Sequence, residues 1–384
     1  MFAGIDVASE THVLARLDGD GRPIGKPTPF TEDREGYTKL LALLGPEPVL
    51  IALEATGHYW KNLFATLAAA GHRVTLLNPI VARRFQEAGL ERTKTDAIDA
   101  TALARLAFEK RPAPTELNDP AVEGLRELVR DRDRLRADFD DRVRQLHRLV
   151  DLGFPEFTRY VRSLDTMLAT TLLAAYPTAQ AFAKASPRRM AQLRFDGRHF
   201  VGLQLAEQLV EAAKRSVGQH HGPAYGLQAR HICQNLDLGR RRLAEVERDI
   251  EGLIEAHELG SLLATIDGIG ALSAARLIAA VGDPARFRSA GALAADVGVV
   301  PALRQSGKRT TTRSSRAPHG NARLRCSLWM PVLGAVRRNA WLKALYDRLR
   351  ANGKPPKVAL VAAMRKLLHA VYSVAKNRQP FRIG

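Results

Sequence analysis

The chain has 384 residues, of which 46% are hydrophobic, and this predicts a globular protein of two or three domains with substantial cores. Its formal charge of +18 and its pI of about 10.4 indicate a polyanionic partner, nucleic acid before a membrane surface. Two distant cysteines exclude a disulfide framework and a cysteine-ligated zinc site, and no signal peptide or membrane-spanning run is recognised, so we expect a cytoplasmic protein without a membrane partner.

The first part of the chain, residues 1–115, alternates short apolar runs with helical patterns. Strands are predicted over 2–7, 11–17, 23–30, 48–53 and 73–77, and helices over 32–44, with Thr31 as N-cap, over 59–70, over 80–88 and around Asp96. This order is that of an RNase H-like α/β domain, in which the first and fourth strands lie side by side and parallel. Asp6 and Glu54 would then meet near the carboxyl ends of those strands, where open α/β sheets bind ligands.

Asp96 and Asp99 follow in the opening turns of the next helix, three residues apart and therefore on one face. Such a pair is, by itself, more often a solvated or capping feature than a metal site. Asp6 and Glu54 change the interpretation, because four converging carboxylates would repel each other without a cation. We therefore predict that these four acids bind Mg²⁺, a hard ion that takes oxygen ligands and supports phosphoryl transfer.

Three short motifs give this first part its resemblance to a known family. They are Gly4-Ile5-Asp6-Val7-Ala8, Leu53-Glu54-Ala55-Thr56-Gly57 and Lys94-Thr95-Asp96-Ala97-Ile98-Asp99-Ala100. No single motif is specific, but their order resembles the DEDD insertion-sequence transposases, the "one-ten" group. The resemblance implies a RuvC-like nuclease domain in which the four acids are catalytic and bind the metal.

The middle region, residues 116–260, is predicted to be all-α. Apolar residues keep three-and-four spacing from Leu125 to Val150 and again from Leu236 to Leu253, with charged residues between them. Periodicity alone fits an antiparallel coiled coil and two helices of an ordinary bundle equally well. The family resemblance favours a coiled coil used in dimerisation. Shorter helices are expected between residues 155 and 226, with no assigned function.

The C-terminal part, residues 261–384, is predicted to be mostly α with a helix-hairpin-helix-like element. Its turn is Ile266-Asp267-Gly268-Ile269-Gly270, and Gly268 and Gly270 would let backbone N–H groups approach a phosphate. A plain tight turn between helices remains the alternative. A dinucleotide-binding fingerprint is a poor explanation, because no convincing strand precedes the glycines.

A candidate nucleophile lies in the segment from Gly298 to Arg309. By itself, a serine before a glycine in a basic loop is weak support for catalysis. The family resemblance implies more, because in that group a serine followed by glycine, shortly after a Gly-x-x-Pro element, is the nucleophile, and Ser306 is the matching position. Ser314, Ser315 and Ser327 compete with it. Asp296 is a departure, since the family usually has an aromatic residue there.

Basic and hydroxyl-bearing residues follow the serine, in a stretch suited to phosphate contacts or to disorder until it is bound. The residues that we predict to contact nucleic acid here are Gly307, Lys308, Arg309, Arg313, Arg316 and Arg323. A helix is expected to open near His319 and run through Trp329, and a final helix over 358–375 should place its apolar stripe in the core.

Together these features predict a DNA recombinase. Ser306 would form a phosphoserine link to donor or target DNA while Mg²⁺ at the four acids stabilises the charge that develops on the phosphate. The resemblance further implies a dimer or tetramer, with the acidic domain of one subunit beside the serine domain of another, and a structured guide RNA encoded by the element. Two alternatives stay open: a RuvC-like two-metal junction endonuclease that uses water, and a non-catalytic nucleic-acid-binding protein.

Overall fold

A computed structural model describes residues 1–55, 57–88, 95–116, 119–306, 309–316 and 320–382, without the side chains of 86–88, 301–306 and 309–316. The chain forms two units, Met1–Leu117 and Asn118–Gly384, each with its own hydrophobic core. The first unit combines a mixed sheet with helices, whereas the second is mostly helical. The three-domain division at residues 115 and 260 stays a prediction.

A five-stranded mixed sheet organises the first unit. Its strands are β1 Phe2–Asp6, β2 Thr11–Leu17, β3 Thr28–Thr31, β4 Leu50–Glu54 and β5 Arg73–Leu77. Their spatial order is β3-β2-β1-β4-β5, antiparallel from β3 to β1 and parallel from β1 through β4 to β5. The predicted parallel pairing of the first and fourth strands is confirmed, and the sheet is compatible with an RNase H-like domain.

Helices cover both faces of this sheet. They are α1 Arg34–Leu44, α2 Trp60–Ala69, α3 Pro79–Ala88 and α4 Asp96–Lys110. Alternate residues of each strand supply the two cores: Ile51 and Leu53 pack with α1 and α2, whereas Leu50 and Ala52 pack with α3 and α4. The central strands are therefore buried on both faces, which accounts for the nearly continuous apolar sequence of β4.

The start of α1 differs from the sequence-based prediction. Asp33, not Thr31, is the N-cap: its carboxylate accepts a hydrogen bond from the Gly36 N–H at 2.7 Å, and the Thr31 hydroxyl donates to the same carboxylate. A charged oxygen at a helix N-terminus is favoured by the helix dipole over a hydroxyl. The third strand is also shorter than predicted, because Gly25 turns the chain at a φ of 72° before Thr28.

The second unit is built mainly of helices. In chain order they are α5 Pro120–Gly153, α6 Phe157–Tyr160, α7 Met167–Ala175, α8 Ala179–Ala183, α9 Pro187–Ala191, α10 Leu203–Lys214, α11 Pro223–Ala256, α12 Glu258–Ala264, α13 Ala271–Val281, α14 Ala290–Val297, α15 Ala322–Ser327, α16 Trp329–Arg338, α17 Ala340–Ala351 and α18 Pro356–Asn377. A two-stranded sheet, β6 Pro301–Ser306 and β7 Arg309–Arg316, interrupts the helices.

The two long helices α5 and α11 pair antiparallel. Arg132 bonds Glu247 at 2.6 Å, and one heptad further along α5 the Phe139 ring lies against Gly239. From Arg132 to Phe139 on α5 the partner moves from Glu247 back to Gly239 on α11, so the two helices run in opposite directions. This pairing is compatible with both arrangements that the periodicity left open. Use of the pair for dimerisation stays a prediction. At the end of the α5–α11 pair near Phe154, the shorter helices α6 to α10 pack around a core that contains Phe154, Phe157 and Phe182.

Two C-terminal elements differ from prediction. The stretch expected to be a loop is paired backbone, with Ala302 opposite Ser315 and Ser306 opposite Arg309. The helix expected to run through Trp329 ends at Ser327, and a second helix begins at Trp329. Pro331 explains this break, because it cannot donate to the Ser327 carbonyl and its ring would clash with that oxygen in a continuous helix.

Helix α18 is long and apolar enough to cross a membrane, judged by length and composition alone. In the structure its apolar stripe, which includes Leu360, Met364, Leu367 and Val371, is buried in the core of the second unit. Packing in a protein interior therefore accounts for its hydropathy, and the predicted core stripe is confirmed.

The close approach of helix α4 to strand β1 generates a prediction for Gly4. A Cβ at this position would lie 2.2 Å from the Ala104 nitrogen and 2.3 Å from the Ala100 oxygen, both of them α4 backbone atoms that cannot move independently. Gly4→Ala should therefore lower the free energy of unfolding by about 2–3 kcal/mol or prevent folding of the unit. Denaturant unfolding of the full-length chain would measure this.

Gly19→Ala provides the matched control, because nothing lies within 4 Å of a Cβ at Gly19. It should change stability by less than about 0.5 kcal/mol. Equal effects of the two substitutions would contradict the close packing of α4 on β1.

Candidate active site

The first two candidate acids lie at the carboxyl ends of adjacent parallel strands. Strands β1 and β4 pair in register from Phe2 opposite Leu50 to Ile5 opposite Leu53. One step further along the same register, Asp6 stands beside Glu54. Both carboxylates also share a face of the sheet, because they continue the alternation of Gly4 and of Ala52, whose face is covered by α3 and α4.

Helix α4 runs antiparallel to β1 on that same face. The ring of Phe108 lies 5.3 Å from the ring of Phe2, and the Ala100–Ala104 segment lies over Gly4. The strand advances about 13 Å from Phe2 to Asp6, and the helix covers the same distance from Phe108 back to Asp99. Because Phe108 lies beside Phe2, Asp99 lies over Asp6. The N-terminus of α4 therefore faces the carboxyl end of β1.

Asp96 and Asp99 occupy the first turn of α4, where the helix dipole favours negative charge. The N-cap of this helix is Thr95, whose hydroxyl accepts from the Ile98 N–H at 3.3 Å, so capping does not account for the two acids. Asp96 is exposed, whereas Asp99, Asp6 and Glu54 are half-buried. The fold thus brings the four predicted acids to one edge and one face of the sheet.

The donor set at this edge consists of carboxylates alone, which suits a hard divalent cation such as Mg²⁺ and not a soft metal. Within the described residues, no three His, Cys, Asp or Glu side chains already lie close enough together to hold a metal ion. Asp6, Glu54 and Asp99 each have an interaction within the protein. The backbone therefore brings the four carboxylates to the same edge of the sheet, but their side chains would have to rotate before they could coordinate one metal ion.

A buried hydrogen-bond network beside the acids was not predicted from the sequence. His12 is fully buried, and its Nδ1 accepts from the N–H of Ala8, two residues beyond Asp6, at 3.2 Å. This assigns the proton to Nε2, which donates to Glu32 at 2.6 Å, and Tyr37 and Asn62 also donate to Glu32. The network fixes the chain just after β1 and so holds the Asp6 end of the strand.

The network perturbs the titration of its members. Burial raises the pKa of the Glu32 carboxyl, but hydrogen bonds from Tyr37, His12 and Asn62 outweigh burial, and the net pKa lies below its ordinary value. Burial, followed by the bond to Glu32, raises the pKa of Tyr37 above its ordinary value. The ionised Glu32 is therefore part of the folded structure at neutral pH.

Ser306 ends strand β6 and pairs with Arg309 at the far end of the hairpin from Ala302 and Ser315. Its side chain lies outside the described part of the chain, as do all atoms of Gly307 and Lys308 and the side chains of Arg309, Arg313 and Arg316. The structure thus locates the serine backbone at the outer end of a two-stranded ribbon in the second unit.

Close backbone contact fixes the base of this ribbon, the end at which the chain enters and leaves it. A Cβ on Gly320, whose φ is 118°, would lie 2.6 Å from the Cα of Gly298, so the segments that enter and leave the ribbon touch each other. The N–H of Asn321 also donates to the carbonyl of Asp296 at 2.8 Å. Because that bond uses the backbone, the unusual aspartate at this position is compatible with the local packing.

The glycines of the predicted helix-hairpin-helix element have different structural roles. Helices α12 and α13 flank the turn, and Gly268 has a φ of 99° and lies so close to Ala335 that a Cβ would be 2.5 Å from that side chain. Backbone conformation and packing therefore account for Gly268. Gly270 is the N-cap of α13 and has open space around it, so a phosphate contact there stays a prediction.

Comparison with known proteins finds two family matches in this chain. Residues 3–155 match a DEDD-type transposase family, and residues 260–347 match the family described as "Transposase IS116/IS110/IS902 family". The first match contains the four acids, and the second contains Ser306, Gly268 and Gly270. The two matched segments are separated by the helical region that includes all of α11.

Curated relatives resemble the chain over nearly its whole length. It is 26% identical to the "Insertion element IS110 uncharacterized 43.6 kDa protein" of Streptomyces coelicolor, over 98% of this chain and 94% of the relative. It is 28% identical to the "Mini-circle putative transposase for IS117" of the same organism, over 99% and 95%. It is 24% identical to the "Pilin gene-inverting protein" of Moraxella bovis, over 99% and 97%.

The lowered pKa of Glu32 generates a pH-dependent prediction. Because the folded-state pKa lies below the ordinary value of 4.5, Glu32 stabilises the fold above pH 4.5, and this contribution is lost as the pH falls through the lowered value. The melting temperature of Glu32→Gln should therefore lie below that of the unmodified protein at pH 7, and the gap should shrink at acidic pH.

Glu35→Gln is the control, because it also removes one carboxylate close to Glu32 in the sequence, but from an exposed residue in the first turn of α1. Thermal melts of all three proteins between pH 3 and pH 7 provide the measurement. A gap for Glu32→Gln that stays constant across this range would show that the carboxylate does not act through its ionised form.

Proposed function

Because this chain belongs to the IS110 family of DEDD transposases, we propose that it is a DNA recombinase that cuts and rejoins DNA through a phosphoserine intermediate at Ser306. The convergence of Asp6, Glu54 and the N-terminus of α4 at one edge of the sheet is the observation that carries the proposal. The Moraxella relative is named for gene inversion, which is also a cut-and-rejoin reaction.

The acids would hold a divalent cation, as is typical of DEDD-type transposases, and we propose Mg²⁺. Asp6 and Glu54 supply oxygens from neighbouring strand ends, and Asp96 and Asp99 supply them from the facing helix. When bound, such an ion stabilises negative charge on a phosphate undergoing transfer. The half-buried position of Asp6, Glu54 and Asp99 supports this role, because a partly desolvated site strengthens each electrostatic contact.

Ser306 would act as the nucleophile. Its oxygen forms a bond to phosphorus while the bond from phosphorus to the released strand breaks; the serine loses its proton and the released hydroxyl gains one. The phosphodiester energy is kept in the phosphoserine link, so rejoining to another strand needs no separate energy source. The position of Ser306 at the outer end of the β6–β7 ribbon supports this role, because a projecting ribbon can present a residue to a large substrate.

The partners that we propose are donor and target DNA, a structured guide RNA and further copies of the chain. The charge of +18 and the basic residues around the ribbon support a polyanionic partner. The RNA and the dimer or tetramer rest on the family resemblance. In such an assembly, the acids of one subunit would act together with Ser306 of another.

Replacement of the nucleophile provides the first test. Ser306→Ala should abolish strand transfer and the covalent protein–DNA adduct, because no oxygen remains to form the link. Ser315→Ala is the matched control, since Ser315 lies at the base of the same ribbon, opposite Ala302, and should retain both activities. Adducts would be trapped on labelled substrate and resolved on a denaturing gel.

Normal cleavage by Ser306→Ala would overturn the covalent mechanism and favour the RuvC-like two-metal endonuclease, in which water attacks. Loss of the adduct in Ser315→Ala alone would assign the nucleophile to the other end of the ribbon.

Replacement of single acids tests the metal-binding edge. Asp6→Asn and Asp99→Asn should each lower the rate of cleavage at least about a hundredfold and leave DNA binding within about threefold, because each removes a metal ligand and no DNA-binding cation. Asp20→Asn removes an exposed carboxylate from the β2–β3 turn of the same unit and is the control. Unchanged cleavage in both site variants would show that these acids are not the catalytic metal ligands. DNA binding without cleavage by the unmodified protein would favour a binding protein without catalysis.

A further inference from the structure

A pocket of about 340 Å³ in the second unit has a basic lining that the proposed reaction does not use. It lies between α5, α13 and the α15 segment, and its lining contains Arg126, Arg130, Arg276 and Arg323. Asp133 is the only carboxylate among the lining residues. Arginine clusters around a concave surface are typical of phosphate recognition.

Asp133 engages two of these arginines. Its carboxylate bonds Arg276 at 2.6 Å and Arg323 at 3.0 Å, which ties α5 to α13 and to the start of α15. The exposed fraction of the Arg323 side chain is 60%, against 19% for Arg276. Arg276 is therefore the fixed partner of Asp133, whereas Arg323 can turn towards a ligand at little cost.

The other two arginines do not bond Asp133. Arg126 bonds Glu123 and the Ala279 carbonyl, and Arg130 bonds Glu127 at 2.9 Å. The Arg130–Glu127 pair is solvent-exposed, so it contributes little to stability. Arg130 can therefore leave Glu127 and bind a phosphate instead. Even with both glutamates counted, the arginines outnumber the carboxylates by four to three.

A purely structural role explains only part of this arrangement. The link between helices uses Asp133 with Arg276 and Arg323, and Arg126 with the Ala279 carbonyl, but it does not need Arg130. In addition, the Nε of Arg276 is buried and has no hydrogen-bond acceptor among the described residues. This buried donor beside further cations adds to the positive potential of the pocket, which favours a bound anion.

We propose that this pocket binds one phosphate of a nucleic-acid backbone, with Arg130 and Arg323 as its mobile donors. The proposal rests on the proposed function, in that it takes the chain to act on nucleic acid. Arg323 follows Gly320 and Asn321, which touch the base of the β6–β7 ribbon that carries Ser306 (the serine ribbon). A phosphate held here would therefore fix a nucleic-acid strand close to that ribbon. The pocket would thus position nucleic acid without reading its sequence.

Salt dependence of binding by the full-length protein tests this site. The pocket variant is Arg130→Gln with Arg323→Gln, and the control is Arg144→Gln with Arg215→Gln. The control arginines are exposed, belong to the same unit and are paired with an acid on their own helix or at its end, so both variants lose the same charge. Fluorescence anisotropy would measure affinity for duplex DNA and for single-stranded RNA between 50 and about 300 mM salt.

The pocket variant should bind one of the two nucleic acids about tenfold more weakly at moderate salt. The slope of log affinity against log salt should fall by about 0.9 for duplex DNA or about 0.7 for single-stranded RNA, the value for one lost phosphate contact. The control variant should keep the slope of the unmodified protein. The nucleic acid for which the slope falls, duplex DNA or single-stranded RNA, is the source of the phosphate.

Equal slopes for the pocket and control variants in both arms would overturn the phosphate site while leaving the proposed function intact. Weaker binding with an unchanged slope would also overturn it, because that result indicates a structural effect. Failure of the unmodified protein to bind either nucleic acid would refute the proposed function together with the site. Arg130→Gln alone repeats the test if the double variant melts at a lower temperature than the control.

Discussion

The direct packing of α4 on β1 determines the geometry of the first unit. Only a glycine at position 4 lets the helix backbone approach this closely, and the approach fixes both the height and the direction of α4 relative to the strand. As a result, residues almost a hundred positions apart in the chain reach the same edge of the sheet. The candidate metal ligands depend on this contact, although none of them takes part in it.

A second set of constraints acts around the acids without contributing ligands. His12 ties the chain beyond β1 to Glu32, and Thr95 caps α4, so each acid-bearing segment is fixed by neighbouring residues. In the second unit, Asp133 has a comparable role, since it joins three helical segments through two arginines. In both units, buried or half-buried polar pairs orient the segments from which functional side chains project.

Much of the first unit could be predicted from the sequence because its strands have strong apolar patterns. Strands β2 and β5 match the predicted bounds, and the strand order follows from that of the elements. The β6–β7 ribbon was missed because its hydroxyl and arginine residues show no apolar alternation, and cross-strand backbone bonds hold it instead. His12 was missed because its partner Glu32 is 20 residues away, although a histidine at an inward position of β2 could have signalled a buried network.

The contact between Gly298 and Gly320 makes the serine ribbon a self-contained insertion in a helical unit. Its two ends touch, so the strands can lengthen or shorten without displacing α14 or α15. Each residue added to both strands would carry the tip outward by about 3.3 Å. Evolution could therefore adjust the reach of the ribbon to substrates of different thickness while the surrounding helices keep their arrangement.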